Sequence, residues 1–562
     1  MTQGSPLSRR SFLTRSAGGA VALGLGGPTL LAACSQSATS SSSAHVADVF
    51  AQGSVGIGKG SARRGGSVTV GTDAEIDGFY PPSNHWDNNG FLYANAVYDP
   101  LTAIAEDGTA QPYLAESVTP NASSTVWTIT LRPNITFHDG SPLTASVVKN
   151  NLDALIASPL TGQALNFISS VQATGPLTVT VTMNQPIVSF AYALAVQTGY
   201  VVGQAMLDAV KANPNVAPHP VGTGPFVYQV WQPNSHFTAT RNPHYWRPGY
   251  PYLDSITFKP IPDTNSREQT LRTGGVDLIV SRNPGTVDRF KSDPSYQVVD
   301  SLMFPQGEPD MDFIMLNCIK PPTNDLSVRQ ALAKGIDQVE IQKLFGGGFA
   351  QPANGLFPKG SKYYSDTGYP TFDPKGAKAL VSAYSKVHGP LAVNLVTIPD
   401  PRDVRVVQII QQMWDEVGVK TSVNEIEEAE LISNAITGNF EAYTFELFSA
   451  PDPDLNYVWW STQTVAPVGG IALNFARNSD PVIQQALIRG RSTTDEAVRI
   501  EAYKTVNERL AKDLPYLWLG QTVWSAVGDQ RVQNFAGPVL PNGQKGKPFD
   551  NGTFFPTQIW VD

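Results

Sequence analysis

The spacing of apolar residues along the chain follows two different periods. Short segments at 66–72, 126–132 and 177–183 alternate apolar with polar residues and are rich in β-branched side chains. Two further segments of this kind occupy 391–397 and 419–426. Because alternation with a period of two places successive side chains on opposite faces, each of these segments is predicted to be a strand.

Other segments repeat their apolar residues with the helical period. Residues 143–157 are predicted to form a helix with Thr144 as its N-cap. Its apolar face consists of Val147, Val148, Leu152 and Leu155. In the second half of the chain, helices are predicted at 373–384, 404–418 and 497–513.

Helices and strands alternate most regularly between residues 374 and 447. The helix at 404–418 is expected to end at Gly418, since the residue after a helix commonly adopts a left-handed conformation that glycine tolerates. Alternating helices and strands are typical of a mixed α/β chain. A hydrophobic content of 41% over about 500 folded residues is more than one core accommodates, so two or more lobes are expected.

The first residues have the composition of an export signal. Arg9 and Arg10 precede a Phe-Leu pair, and residues 16–33 are uncharged and rich in Gly and Ala. This pattern resembles the twin-arginine export signal, and the Leu-Ala-Ala-Cys segment that ends at Cys34 resembles a lipoprotein processing box. We expect residues 1–33 to be removed and the sulfur of Cys34 to carry lipid, which anchors the protein to the cell membrane on its extracytoplasmic side.

Residues 34–65 are dominated by Ser, Ala and Gly without sustained apolar periodicity. Such a segment behaves as a flexible tether, and about 30 residues of it would span on the order of 30 Å. The sequence therefore predicts a folded body held near a membrane.

Charge and cysteine content exclude several classes of protein. The formal charge of −9 becomes −12 without residues 1–33, which contain three arginines and no acids, so nucleic acid is not an expected partner. Cys318 has no cysteine left to pair with and is interpreted as a small buried hydrophobe. The seven histidines are scattered without a Cys/His cluster, so neither a metal site nor a cofactor is expected.

Four segments, in order, resemble the extracytoplasmic solute-binding proteins of family 5, which serve peptide and nickel ABC importers. The first contains Phe-His-Asp-Gly after a predicted strand, and the second contains Gly-Thr-Gly-Pro and then Arg-Asn-Pro-x-Tyr-Trp. The third is a predicted strand followed by a helix, and the fourth resembles the start of the family's second lobe. The segments are 127–148, 221–246, 252–278 and 316–337.

The resemblance implies an α/β fold of the two-lobed, periplasmic-binding-protein-like type II, with a hinged cleft between the lobes. Lobe I would comprise 66–305 with the tail 520–562, and lobe II would comprise 306–519. The protein would be a monomer that captures its ligand in the cleft and delivers it to the transmembrane subunits of an ABC permease.

Several motif residues are interpreted as structural. His138 is expected to be a hydrogen-bonded turn residue rather than part of a catalytic pair. Gly222 and Gly224 are expected to supply turn conformations open to glycine. Residues 241–243 and Trp246 are expected to form a packed corner.

The cargo is suggested by a second set of residues. Where peptide binders of the family carry an aspartate for the peptide amino terminus, the alignment places Ser449, just before the segment that contains Asp452. Both residues are candidates for ligand contact. Serine cannot supply the charge-assisted contact that an aspartate gives. Glu446 could provide a displaced negative charge or be a solvated strand-end residue, and Arg402 could replace the arginine that dipeptide binders use for the carboxylate.

Aromatic residues give further candidates for ligand contact. Trp459 and Trp460 form either an aromatic wall of the cleft or part of the core. Phe79, Tyr80 and Trp86 follow the first strand, where family members line the cleft, and core packing explains them equally well.

The predicted function is therefore a solute-binding lipoprotein of an ABC importer that takes peptides or peptide-like solutes. An oligosaccharide or a chelated metal is an alternative cargo. A secreted hydrolase is a more distant alternative, because the sequence contains no Gly-x-Ser-x-Gly elbow and no His-Glu-x-x-His motif. No catalytic residue is assigned.

Overall fold

A computed structural model gives the architecture. It describes residues 58, 61–216, 219–301, 310–346, 352–447, 450–549 and 552–562. The twin-arginine segment, Cys34, most of the predicted tether and Ser449 lie outside the described residues. In the described part of the chain, no helix combines the length and the apolar character that crossing a membrane requires.

The described residues contain strands that we number in chain order. They are β1 Ser67–Thr72, β2 Thr102–Ile104, β3 Ala110–Pro112, β4 Ala115–Pro120, β5 Val126–Leu131, β6 Ile168–Gly175, β7 Thr178–Met183, β8 Phe226–Gln232, β9 His236–Arg241, β10 Ser255–Pro260, β11 Leu278–Ser281, β12 Tyr296–Asp300, β13 Met311–Leu316, β14 Ala392–Thr397, β15 Lys420–Glu425, β16 Ala442–Leu447, β17 Tyr516–Gln521, β18 Ser525–Asp529, β19 Val532–Gln533 and β20 Trp560–Val561.

The α-helices are numbered in the same way. They are α1 Asn88–Val97, α2 Ala145–Ala157, α3 Phe190–Ala193, α4 Gln204–Ala212, α5 Thr264–Arg272, α6 Pro284–Phe290, α7 Leu326–Lys334, α8 Gln338–Phe345, α9 Pro374–His388, α10 Pro401–Glu416, α11 Glu428–Thr437, α12 Tyr457–Trp460, α13 Pro481–Arg491 and α14 Glu496–Asp513.

Two sheets organise the pocket described below. The first has seven strands in the order β12-β18-β11-β1-β10-β9-β8, in which β1 runs parallel to both β10 and β11. The second has five strands in the order β15-β14-β16-β13-β17, in which β14 runs parallel to β15 and β16. Each sheet lies against its own cluster of buried apolar side chains. The mixed α/β class predicted from the alternating pattern is confirmed.

A four-stranded antiparallel sheet, β4-β5-β7-β6, forms a third layer with α2. The chain passes from the seven-stranded to the five-stranded sheet between β12 and β13, and it returns through residues 522–524 between β17 and β18. At the amino-terminal edge, the N–H groups of Gly58 and Gly65 donate to Asn534 Oδ1 and to the Tyr252 carbonyl.

The predicted elements agree with the structure to within a few residues. Thr144 caps α2 as expected, since its Oγ1 accepts from the Val147 N–H at 3.4 Å. The helix α10 begins earlier than its apolar period suggests, because Asp400 is the N-cap and Pro401 occupies the first helical position. Gly418 follows it with a φ of +98°, the positive value for which glycine was expected.

The structural requirement for glycine at positions 222 and 224 differs from the one predicted. Neither has a positive φ. Instead, a Cβ on Gly222 would lie 2.0 Å from the Val97 carbonyl oxygen, and one on Gly224 would lie 2.4 Å from the Val97 carbonyl carbon. The prediction of special turn conformations was wrong, since close approach to the end of α1 is what requires the missing side chain.

The other structural interpretations are confirmed. His138 donates from Nε2 to the Gly224 carbonyl at 3.0 Å and accepts the Gly222 N–H at Nδ1, and burial lowers the pKa of its imidazole. Asn242 also donates to the Gly224 carbonyl, and Trp246 donates to the buried Asp99 at 2.8 Å. These residues hold the corner between α1 and β8.

Candidate solute-binding pocket

A pocket opens where parallel strands of the two sheets end. Asp73 directly follows β1, Arg282 directly follows β11, and Ile398 directly follows β14, and all three side chains line it. The space between the lining residues amounts to about 890 Å³, including the part open to solvent. In open α/β sheets, ligands bind outside the carboxyl ends of the strands, so this is the expected place for a binding site.

The charged lining residues are predominantly acidic. Six carboxylates and two arginines line the pocket, together with apolar side chains such as Phe313, Leu431 and Trp524. The carboxylates are Asp73, Asp87, Asp312, Asp403, Glu428 and Glu446, and the arginines are Arg282 and Arg402.

Three of the carboxylates are bound by the arginines. Arg282 lies 2.8 Å from Asp403 and 3.5 Å from Glu446. Arg402 lies 2.7 Å from Asp312 and 3.0 Å from Asp403. We call these five residues the arginine network. Because Arg282 follows a strand of the first sheet and its partners belong to α10 and β16, the network joins the two sides of the pocket.

In the arginine network, burial and ion pairing shift the pKa values of the side chains in opposite directions. Burial raises the pKa of Glu446 to about 7 against the attraction of Arg282, with Asp312 and Asp403 adding to the rise. Burial also raises the pKa of Asp403, although Arg282 and Arg402 lower it. For Arg282, burial acts to lower the pKa, but Asp403 and Glu446 hold it well above its usual range.

The other three carboxylates, Asp73, Asp87 and Glu428, form no ion pair with any described residue. We call them the acid group. Asp87 is the N-cap of α1 and accepts from the Gly90 N–H at 2.8 Å and from the Asn89 side chain at 3.2 Å. Glu428 lies in the first turn of α11.

The pKa values of two members of the acid group, Asp87 and Glu428, are raised. Burial raises the pKa of Asp87 to about 6, the bonds from Gly90 and Asn89 oppose the rise, and Asp73 adds to it. Burial raises the pKa of Glu428 well above its usual range, and Asp87 and Asp73 raise it further. Arg282 opposes the rise at Glu428, but the three carboxylates of the acid group repel one another.

Four buried polar atoms of the pocket have no hydrogen-bond partner among the described residues. Asp73 Oδ1, Asn89 Oδ1 and Glu446 Oε2 are acceptors, and Arg402 Nε is a donor. Since buried polar groups in proteins are nearly always satisfied, these atoms are suited to a bound solute or water.

Two of the predicted site residues reach this region. Glu446 lines the pocket, and Trp459 lines a smaller aromatic pocket that shares Phe313, Phe445 and Glu446 with it. Trp459 packs edge-on against Phe475 with ring centroids 4.8 Å apart.

The structure places the other predicted aromatic residues in the cores. Phe79 packs edge-on against Trp231, and Trp86 stacks on Tyr98 at 6.1 Å. Trp460 is 1% exposed in the cluster beneath the five-stranded sheet. Tyr80 is partly buried against the same cluster as Phe79 and Trp86. Core packing accounts for all four positions.

Asp452 has a structural role in the segment after β16. It binds Arg499 at 2.5 Å and accepts the Asp454 N–H at 2.9 Å as the cap of a short 3₁₀ turn. Burial raises its pKa, and Arg499 opposes the rise. Thr397, the last residue of β14, is fully buried and accepts from Thr444, whereas Arg402, the arginine considered for the carboxylate, lines the pocket.

Sequence reasoning missed Asp73, Asp87, Asn89, Arg282 and Glu428. A usable signal existed for Asp73 and Arg282, since each directly follows a parallel strand. No local signal marks Asp87 or Glu428, because a helix N-terminus commonly carries an acid for capping alone.

No group of His, Cys, Asp and Glu in the described ranges is arranged to hold a metal ion.

Comparison with known proteins identifies similar sequences and structures. The glutathione-binding protein GsiB of Pectobacterium atrosepticum is 26% identical over 458 residues, which cover 79% of this chain and 86% of that protein. The periplasmic binding protein DppA from Helicobacter pylori, solved with the peptide STSA, superposes with a TM-score of 0.77 at 22% identity, covering 89% of this chain and 98% of that one.

NikZ from Campylobacter jejuni, solved with Ni(L-His), gives a TM-score of 0.73 at 21% identity, covering 87% of this chain and 97% of that chain. These likenesses confirm the type II periplasmic-binding-protein fold. The model of the bacterial extracellular solute-binding proteins, family 5 Middle, matches residues 109–466. This match covers more than half of the chain, which therefore belongs to the family 5 extracellular solute-binding proteins.

Proposed function

We propose that the protein captures peptides or peptide-like solutes outside the cytoplasmic membrane and delivers them to the transmembrane subunits of an ABC permease. The observation that carries this proposal is the pocket at the strand ends, which offers unpartnered acceptors and an unpartnered donor to one ligand. A zwitterionic peptide presents complementary groups, since its ammonium donates hydrogen bonds and its carboxylate accepts them.

Arg402 is the proposed contact for a carboxylate. Two of its nitrogens are bound to Asp312 and Asp403, and its Nε is buried without a partner. Arginine binds carboxylates in charge-assisted geometry, so one further acceptor at Nε would complete its hydrogen bonding. The names of GsiB and of DppA with its peptide support a peptide-like cargo.

The two-lobed division supplies the proposed mechanism of capture. With lobe I at 66–305 and 520–562 and lobe II at 306–519, the pocket is lined from both lobes. A ligand that contacts both stabilises a closed form relative to an open one, and the permease can then distinguish loaded from empty protein. Lipid on Cys34 would keep the monomeric protein near its permease.

Among other cargoes, the aromatic pocket beside Trp459 is the observation that favours a saccharide, because an aromatic face can stack on a sugar ring. Trp459→Ala should then weaken saccharide binding at least tenfold. A chelated metal is the cargo that NikZ suggests. A peptide explains the charged pocket better than either.

The proposal is tested with protein unfolded, dialysed and refolded to remove retained solute. Calorimetric titration with dipeptides, an N-acetylated dipeptide, oligosaccharides and a nickel–histidine complex should give binding for the dipeptides. Arg402→Gln should weaken a dipeptide more than its carboxamide. Binding of saccharide alone would contradict the peptide assignment, and turnover of a probe would contradict the transport role.

Lipid attachment needs a separate experiment in cells. Metabolic labelling with a radioactive fatty acid should label the wild-type protein and leave Cys34→Ser unlabelled, with the same variant released from the membrane fraction. Equal labelling of the two would contradict the anchor. Cys318→Ser is the matched control, because it removes the remaining cysteine and should keep the label.

A further inference from the structure

In the described part of the protein, the acid group has no cation within ion-pair distance. Both arginines of the pocket are held by the arginine network, at distances between 2.7 and 3.5 Å. No lysine, arginine or histidine among the described residues forms an ion pair with Asp73, Asp87 or Glu428. Three carboxylates therefore face one pocket, and none of them has a described cation within ion-pair distance, although the charge of Arg282 acts on Glu428 and Asp73 from farther away.

A buried amide beside the acid group points to the same missing partner. Asn89 is 2% exposed and lines the pocket. Its amide nitrogen donates to Asp87, and its Oδ1 has no partner, as is also true of Asp73 Oδ1. An array of acceptors without donors matches a group that only donates, such as an ammonium or a guanidinium.

We propose that Asp73, Asp87, Glu428 and the Asn89 amide oxygen form the receptor for a positively charged group of the solute, so that the cargo is an organic cation such as a basic peptide. This inference rests on the proposed function and specifies its substrate class. The described carboxylates do not form a metal-binding arrangement, and apolar Leu431 and Trp524 share the pocket, which suits an amphipathic organic cation.

The position of the acid group also gives the cation a role in closure. Asp73 and Asp87 belong to the part of the chain around the seven-stranded sheet, and Glu428 begins α11 beside the five-stranded sheet. Asp87 and Asp73 both raise the pKa of Glu428 after burial, which is the sign of repulsion across the pocket. A cation between them converts this repulsion into attraction.

The test compares dipeptide amides that differ in their number of positive charges. Calorimetry on refolded protein compares lysyl-leucine amide with two positive charges, leucyl-leucine amide with one, and N-acetyl-leucyl-leucine amide with none. The affinity is expected to rise about tenfold with each charge, the order of a charge-assisted contact. Glutamyl-leucine amide, with a carboxylate in the lysine position, should bind more weakly than leucyl-leucine amide.

Variants then locate the effect. Glu428→Gln, Asp73→Asn and Asp87→Asn should each weaken lysyl-leucine amide about tenfold and leave the acetylated probe within about twofold. Glu430→Gln is the matched control, because Glu430 lies in the same first turn of α11 but is exposed and outside the pocket. Thermal unfolding of each variant checks that it folds.

Equal affinities of the three differently charged dipeptide amides, or equal effects of Glu428→Gln and Glu430→Gln, would overturn the cation receptor and leave solute binding intact. Failure of these probes and of the free dipeptides to bind wild-type protein would overturn the proposed function and the receptor with it. The two failures are therefore distinguishable in one set of titrations.

Discussion

The arginine network and the acid group line the same pocket but differ in how their charge is balanced. In the network, two arginines bind three carboxylates, and every charged side chain has a partner of opposite sign. In the acid group, three carboxylates repel one another, and Asp87 has a pKa of about 6. The charges of the network are balanced without a solute, although Glu446 Oε2 and Arg402 Nε still lack hydrogen-bond partners. The acid group gains an ion-pair partner only when a cation arrives.

This difference assigns opposite effects to similar substitutions. Removal of a charge from the network leaves its partner buried and unpaired, which destabilises the fold. Removal of a charge from the acid group relieves repulsion, which stabilises the free protein while it weakens binding. The predictions below use this contrast, from the largest expected effect to the smallest.

The largest effect is expected from Arg282→Met. The substitution leaves Asp403 and Glu446 without this partner and should lower the free energy of unfolding by about 3–5 kcal/mol at pH 7.5. Urea unfolding followed by circular dichroism measures the change. Arg531→Met is the control, since the exposed pairs of Arg531 with Asp277 and Asp529 should be worth less than about 1 kcal/mol.

The second effect has the opposite sign. Combined Asp73→Asn, Asp87→Asn and Glu428→Gln should raise the free energy of unfolding at pH 8 by about 1 kcal/mol or more, because repulsion disappears. Asparagine still caps α1 in place of Asp87. Asp495→Asn at the exposed start of α14 is the matched capping control and should change the free energy of unfolding by only a few tenths of a kcal/mol. A destabilised triple variant would show that the acid group is structural.

The third effect concerns pH. A carboxyl whose pKa is raised by folding binds its proton more tightly in the folded state, so stability rises as the pH falls through the folded pKa. With Asp87 at about 6 and Glu446 at about 7, unfolding free energy of the free protein should increase between pH 8 and pH 5. Affinity for lysyl-leucine amide should decrease over the same range, because protonated acids attract a cation less.

The charged groups that face these two carboxyls all enter this pH dependence. They are Asp73, Asp77, Asp310, Asp312, Asp403, Glu428, Arg282 and Arg402. Asp87→Asn should flatten the lower part of the stability profile. If stability and affinity for lysyl-leucine amide changed in the same direction between pH 8 and pH 5, the contrast between the arginine network and the acid group would be contradicted.

The smallest effect is that of salt. The acid group meets its cation in a pocket open to solvent, so an increase in NaCl from 0.05 to 0.5 M should weaken lysyl-leucine amide a few-fold. The acetylated probe should be unaffected. The stability deficit of Arg282→Met should change little, because the network is buried and poorly screened. Salt that affects both probes equally would indicate that charge is not what the pocket recognises.

Local pattern predicted much of this fold. Alternation located β1, β5, β7, β14 and β15, and the helical period located α2, α9, α10 and α14 within a few residues. These predictions succeed because burial of one face leaves a periodic signature in the sequence. The glycines near the end of α1 show the limit, since the contact that excludes a side chain involves Val97, more than a hundred positions earlier in the chain.

The candidate site was less accessible to prediction. Glu446 and Trp459 were identified and line the two pockets, but Phe79, Trp86 and Trp460 are core residues. An aromatic residue has the same appearance in a sequence whether its ring faces a ligand or another ring. Arg282 and Asp403 are 121 positions apart, and no local pattern indicates that they meet.

The sequence by itself determined the mixed α/β class, the family and the approximate bounds of the nine elements named above, because periodicity and ordered motifs are local properties. Only the tertiary structure decided which carboxylates receive an arginine and which do not. That balance depends on side chains brought together from the ends of β1 and β11, the start of α1, and α10, α11, β13 and β16, and on a partly buried environment in which an unpaired charge is costly.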